Sequence, residues 1–188
     1  MRASPVNVGG MPDLVENSRS HRTDPRAVVM ARPDVADGAA MWRMARDSEV
    51  LDLNASYAYL LWARDFAATS VVARVDGEPG GFVSGYRRPD QPATLMVWQV
   101  AVDEAHRGQG LARRMLDHVV ERSRHSGAPF THLETTITAD NEASIALFTS
   151  FAAAHGATTE RSPVFPSESV PDGHDAELLF RIGPLATT

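Results

Sequence analysis

An α/β (α+β) fold with a mixed, mostly antiparallel central sheet flanked by helices is what this sequence predicts, on three observations. Three β-rich runs joined by short loops follow one another over residues 69–102, the pattern of an antiparallel meander. Amphipathic helical stripes precede and follow that meander, so helices are available to cover the sheet. The chain has 188 residues, 43% of them hydrophobic and 22% charged, which suits one compact core.

The elements follow in order. Residues 1–26 mix Pro, Gly, Asn, Ser and Arg with no apolar period of 2 or 3.6, and are expected to be a disordered N-terminal tail. The domain is expected over 27–183, with a short C-terminal tail at 184–188. Val28, Val29 and Met30 begin a strand stopped by Pro33, and Asp34 and Asp37 are candidate N-caps for a helix carrying Met41, Trp42 and Met44. A second helical pattern, Tyr57, Leu60, Leu61 and Phe66, has Asn54 or Ser56 as its cap. Runs 69–75 and 82–88 flank the hairpin punctuation Asp76-Gly77-Glu78-Pro79-Gly80, and a third run spans 94–102. Leu111, Met115, Leu116, Val119 and Val120 form a helical stripe that Gly127 ends. Strand 132–138 leads into a helix from Asn141 that Gly156 ends. A last strand closes over 177–182, with one more short strand expected near 157–160.

Composition removes several function classes. With 18 Lys plus Arg against 24 Asp plus Glu the net charge is −6, so the electrostatic footprint of a duplex nucleic-acid binder is missing. Zero cysteines exclude disulfides, thiolate metal sites and an acyl-cysteine intermediate. No window approaches the roughly 18 apolar residues of a membrane span, and the N-terminus lacks the apolar block of a signal peptide, so a cytoplasmic protein is expected.

The first chemical motif is Arg107-Gly108-Gln109-Gly110-Leu111-Ala112, between the strand ending at Val102 and the helix opening at Leu111. Glycines at a strand-to-helix junction let the backbone approach a ligand and aim free N–H groups at a phosphate. No Lys-Ser/Thr follows, so this is not a P-loop, and the antiparallel sheet before it argues against a dinucleotide turn. A Gly-rich tight turn is the plain alternative.

The run ending in Val100-Ala101-Val102, the turn Arg107-x-x-Gly110-x-Ala112 and Asn141-x-x-Ser144-x-x-Leu147-Phe148 together resemble the GNAT superfamily of N-acetyltransferases over about residues 27–183. The resemblance implies the GNAT fold and acetyl-CoA as donor. Amides of Arg107, Gly108, Gln109, Gly110, Leu111 and Ala112 would hold its pyrophosphate, and the main chain of Val100 and Val102 would pair with pantetheine like an added strand. Arg107 and Arg113 become candidates for the phosphates, with a solvated helix face as their alternative. Asn141 either caps its helix or contacts the cofactor, two roles that are compatible. Many superfamily members carry a tyrosine as general acid where Phe148 stands, so a different group or water protonates the leaving thiolate, or its modest basicity makes an acid unnecessary.

Strings across nearly the whole domain are similar to one narrower family, the L-2,4-diaminobutyrate acetyltransferases of ectoine biosynthesis: residues 52–59, 81–87, 97–102, 133–136 and 174–179. That resemblance implies acetyl transfer to the γ-amine of L-2,4-diaminobutyrate, a homodimer, and no metal. A diamino acid offers two ammonium groups, a carboxylate and a short apolar stem, so its site needs acidic groups, a donor and an aromatic wall. Asp52, Glu134, His174 and Glu177 with Tyr57 and Trp98 supply those types. Three of them have a plainer alternative: Asp52 a helix-dipole partner, Trp98 core packing, Glu134 a solvent-facing strand position. His174 and Glu177 at i, i+3 lack a third metal ligand. Glu177, Glu134 or a water relayed through His174 are the candidate bases. Two other functions fit less of the sequence: acetylation of a protein N-terminus or ribosomal protein, and a non-catalytic acyl-CoA sensor.

Overall fold

The computed structural model describes residues 27–165 and 176–186; the tail expected over 1–26 and the candidate His174 lie outside them. Among the described residues seven strands and four helices follow in the order β1 Val28–Ala31, α1 Gly38–Ser48, α2 Ser56–Asp65, β2 Val71–Val75, β3 Glu78–Arg87, β4 Thr94–Val102, α3 Leu111–His125, β5 His132–Thr138, α4 Glu142–Ala154, β6 Thr158–Phe165 and β7 Glu177–Gly183. They form one sheet in the order β1-β2-β3-β4-β5-β7-β6. Every described pairing is antiparallel except β4 with β5. The expected mixed sheet flanked by helices is therefore the observed one.

Local chemistry explains the element ends. Asp76 (φ 53°) and Gly77 (φ 93°) both take left-handed conformations, a two-residue turn that matches strand twist, so β3 starts at Glu78 rather than near 82. Gly80 is accommodated by a bulge against β2, between the pairs Ala73↔Gly81 and Arg74↔Pro79. Asp34 accepts from the Ala36 amide while Asp37 reaches back to the Asp34 amide, a capping box on the short 3-10 turn before α1. Asp37 itself makes no side-chain cap on α1 and instead pairs with Arg74. Neither Asn54 nor Ser56 caps α2, whose N-cap is Ala55. Asn141 does cap α4, accepting from the Ser144 amide at 3.0 Å.

Two cores sandwich the sheet. On one face α3 presents Leu111, Met115, Leu116, Val119 and Val120, as their spacing predicts, and all but Leu111 join Val83, Leu95, Leu133, Phe148, Phe151 and Phe180 in one cluster. On the other, Met41, Met44, Ala45, Tyr59 and Ala63 pack on Val72, Phe82 and Ala101. Leu185 is buried in the first cluster and its N–H donates to Thr131 O, so the packed chain runs past 183 into the residues expected as a tail.

Candidate functional site

The cleft begins where a ladder stops. β4 and β5 are paired only from Thr94↔His132 to Met96↔Glu134, after which the two strands part. Trp98 stands opposite the step from Ser84 to Gly85 as the extra residue of a bulge. The bulge shifts side-chain phase: Leu95 and Val97 belong to the α3/α4 core before it, while Val100 and Val102 pack toward that core after it. Trp98 is thrown outward, 52% exposed, and its ring meets Trp62 edge-on at 4.6 Å. Core packing is therefore not its role.

Between the parted strands lies a cavity of about 450 Å³ whose lining includes Asp52, Trp98, Val100, Asn141, Phe148 and Glu177. Sequence separation among them reaches 125 residues, and they arrive by four routes: the segment after α1, β4, α4 with its cap, and β7. Asp52 comes from the segment joining α1 to α2, Glu177 opens β7 opposite Thr138, and Phe148 lies one turn beyond Ser144 on α4.

The glycine turn follows the end of β4. A 3-10 turn over Glu104–His106, capped by Asp103, hands the chain to Gly108 (φ 74°) and Gly110 (φ 70°), and Gly110 is the N-cap of α3. A Cβ at either glycine would meet nothing within 4 Å, so glycine is favoured by the left-handed backbone angle and not by crowding. α3 is fifteen residues long, and a helix N-terminus leaves main-chain N–H groups without intrahelical partners, the kind of group that can seat an anion. Asp103 is tied to Arg43 of α1 at 2.8 Å. Burial disfavours its charged form, yet Arg43 and the Ala105 amide hold its carboxyl below the usual carboxylate range.

The remaining predicted residues are dispersed. Tyr57 is 64% exposed on the first turn of α2 and is not among the cavity-lining side chains. Arg107 is exposed, with Nε donating to Val102 O at 3.3 Å, and lines a smaller cavity with Arg43 and Asp103. Arg113 is engaged with Asp117 and with Ser150 O at 2.9 Å. Leu111 turns its side chain into the core, which leaves its amide as its contribution to the turn. Glu134 departs most from expectation: it is 1% exposed, not solvent-facing, and its two oxygens accept from Arg88 at 2.8 Å and from Arg181. The Glu134 hydrogen bond, chiefly, raises the Arg88 pKa. This carboxylate, clamped by two guanidinium groups, stands at the last rung of the β4–β5 ladder and is not among the residues lining the cavity.

Sequence reasoning missed several lining groups: Tyr86, Gln99, Thr136, Thr138 and Ser144. The strings 81–87 and 97–102 contained Tyr86 and Gln99, but nothing local distinguishes a strand side chain that reaches the cleft from one that packs. Among the described residues no group of three His, Asp or Glu is arranged to hold a metal ion.

A cleft opened by parting strands, with a glycine turn at the N-terminus of α3, defines an N-acyltransferase of the GNAT type, and the acetyltransferase (GNAT) family model matches residues 38–152. The chain belongs to that family. Within it, the chain is 60% identical over 158 residues to an L-2,4-diaminobutyric acid acetyltransferase of Streptomyces coelicolor, covering 82% of this chain and 92% of that one. It is 43% identical to the enzyme of the same name from Marinococcus halophilus, covering 84% and 91%. In structure it matches the diaminobutyrate acetyltransferase of Paenibacillus lautus, solved with its substrate L-2,4-diaminobutyric acid and coenzyme A, at TM-score 0.79 and 38% identity over 85% of this chain and 96% of that one.

Proposed function

We infer that this chain transfers the acetyl group of acetyl-CoA to L-2,4-diaminobutyrate. The observation that carries the reading is the 60% identity to a diaminobutyrate acetyltransferase over nearly that enzyme's whole length. A cavity that gathers two carboxylates and an exposed tryptophan at the mouth of the strand fork supports it.

Acetyl-CoA fits what the structure offers. The edge of β4 beyond Met96 is turned to the cleft, where the main chain of Val100 and Val102 can hydrogen-bond an extended pantetheine arm, and the Gly108/Gly110 turn leaves room for a pyrophosphate against the α3 amides. Arg107 and Arg113 flank that turn as cations for the phosphates. Asn141 acts first as the α4 cap, which fixes that wall of the cleft.

On the acceptor side the chemistry sets one demand. An aliphatic amine with pKa near 10.4 is only about 0.04% neutral at pH 7, and only the neutral form attacks a thioester. Asp52 and Trp98 grip the α-ammonium end and the stem, and the γ-amine is presented near Glu177, which takes its proton directly or through a water relayed by His174. A main-chain N–H near Val100 stabilises the oxyanion. Phe148 cannot donate a proton, so the thiolate leaves without a dedicated tyrosine acid. The product is N4-acetyl-L-2,4-diaminobutyrate, consistent with a role in ectoine biosynthesis.

No described helix is long and apolar enough to cross a membrane, and a cytoplasmic enzyme without nucleic-acid partners accords with the net charge of −6. A homodimer is supported by the exposed apolar side chains Tyr57, Leu60, Leu61 and Phe66 of α2 and its end, beside Trp98. The decisive experiment is thiol release from acetyl-CoA across diamino acids, polyamines and peptides, with product position read by NMR. Turnover with diaminobutyrate giving γ-acetylated product is expected; turnover with peptides alone would replace this reading.

A further inference from the structure

Gln99 is the residue that follows the bulge. Buried to about 95%, it lines both the large cavity and a smaller one of about 70 Å³ under α2, beside Asn54 and Trp62. Its main-chain N–H donates to Ser84 Oγ at 3.2 Å, which anchors the backbone at the bulge. Its side-chain Nε2 donates to Asp52 O at 2.8 Å, across 47 residues.

A glutamine at this position is not explained by packing. Burying a primary amide costs more than burying a leucine of similar size, in desolvation and in rotamer entropy, unless its hydrogen bond is needed. That bond reaches the stretch 49–55, which is neither helix nor strand and bears exposed Val50 and Leu53. Within the stretch the Val50 and Leu51 amides donate to Ser48 Oγ at 3.4 and 3.2 Å, and Asn54 Nδ2 approaches Asp52 O at 3.5 Å, all over two or three residues. Gln99 thus ties an irregular segment to the rigid sheet at the one residue of that segment whose carboxylate the acceptor site needs.

We propose that Gln99 is a positioning residue for the acceptor: by holding the Asp52 carbonyl it sets where the Asp52 carboxylate meets the α-ammonium, and so which amine is left to react. The proposal rests on the assignment of Asp52 to the acceptor site made above. Carbonyl and carboxylate of Asp52 share one Cα, so freeing the first displaces the second, and displacements of about 1 Å at a binding group are enough to change turnover and selectivity.

The test is a cycle of Gln99→Leu, Asp52→Asn and the double variant, assayed with diaminobutyrate and with acetyl-CoA as the varied substrate. Gln99→Leu is expected to raise KM for diaminobutyrate about tenfold, to leave KM for acetyl-CoA within about twofold, and to release some α-acetylated product. In the double variant Gln99→Leu should add nothing to Asp52→Asn, because the carboxylate it positions is gone. A second variant, Gln99→Glu, guards against a folding defect. Its carboxylate repels the Asp52 carbonyl when charged and donates to it when protonated. Its KM defect relative to the unsubstituted enzyme should therefore narrow from pH 8 to pH 6, which a packing role would not produce. An unchanged KM in folded Gln99→Leu while Asp52→Asn raises it, multiplying effects in the double variant, or a pH-independent Gln99→Glu defect would each overturn the proposal. If Asp52→Asn itself leaves KM unchanged, the acceptor assignment fails first and takes this proposal with it.

Discussion

The two regions proposed to hold donor and acceptor are built by different means. The proposed donor region consists of main-chain amides at Gly108, Gly110 and the start of α3, where glycine leaves open space in place of a side chain. The proposed acceptor region consists of side chains, Asp52, Trp98 and Glu177, delivered by a loop, a bulge and a strand end. A backbone site is specified by a few adjacent residues. A side-chain site exists only after the whole sheet has formed.

The sharpest way to break that contrast is to put a side chain into the backbone site. Gly110→Asp adds a carboxylate where a phosphate is expected, and with open space around the new Cβ the fold should survive at about 1 kcal/mol of cost for the left-handed backbone. Acetyl-CoA affinity should fall at least a hundredfold by calorimetry, with a native circular dichroism spectrum. Unchanged affinity in the folded variant would remove the donor site from this turn.

Next in size is an acceptor-end change. If Glu177 takes the proton, Glu177→Gln should lower kcat about a hundredfold at pH 7 and leave acetyl-CoA binding intact. Free amine becomes more abundant as pH rises, so the deficit should shrink toward pH 9. A deficit equal at every pH would assign Glu177 to binding rather than to proton transfer.

What was legible in the sequence follows the same division. The α3 stripe, the Asn141 cap, the hairpin at Asp76-Gly77 and the glycine turn were readable because each is decided within a few residues. The bulge was not, because nothing at Trp98 marks an extra residue; it shows only as a phase change against β3. For Glu134, read as a site acid with a solvent-facing strand position as the alternative, the buried ion pairs were not legible, because its arginines lie 46 and 47 residues away and two long-range guanidinium groups turn an otherwise costly burial into a paired one. Gln99 passed unremarked for the same reason, since its partner is reached only through the fold.

A smaller effect joins the two ends. Arg43 of α1 holds Asp103, which caps the turn leading to Gly108, so the helix that precedes the Asp52 segment and the glycine turn share one ion pair. That pair is partly exposed, with side chains 42% and 24% accessible, so its contribution is discounted to about 0.5–1 kcal/mol. Arg43→Ala should raise KM for acetyl-CoA two- to fivefold and leave that for diaminobutyrate unchanged. An equal rise in both would mean that α1, not the loop, had been disturbed.

The least effect is expected away from both ends. His118 lies on α3 among Met30, Arg114, Asp117, Glu121, Arg124 and His155, and burial, followed by the charge of Arg122, lowers its pKa below the ordinary 6.5. The folded state therefore binds its proton less readily than the unfolded chain does. Above pH 6.5 neither form is charged and His118 costs nothing; as pH falls through 6.5 the unfolded chain takes up the proton first, and stability drops. His118→Gln should flatten that part of the profile, shrinking the fall in Tm between pH 7.5 and pH 5.5 by roughly one to three degrees. Neither KM should move, because His118 lines no part of the cleft. A steeper fall in the variant would mean that His118 gains a proton on folding, with Asp117 and Glu121 outweighing burial and Arg122.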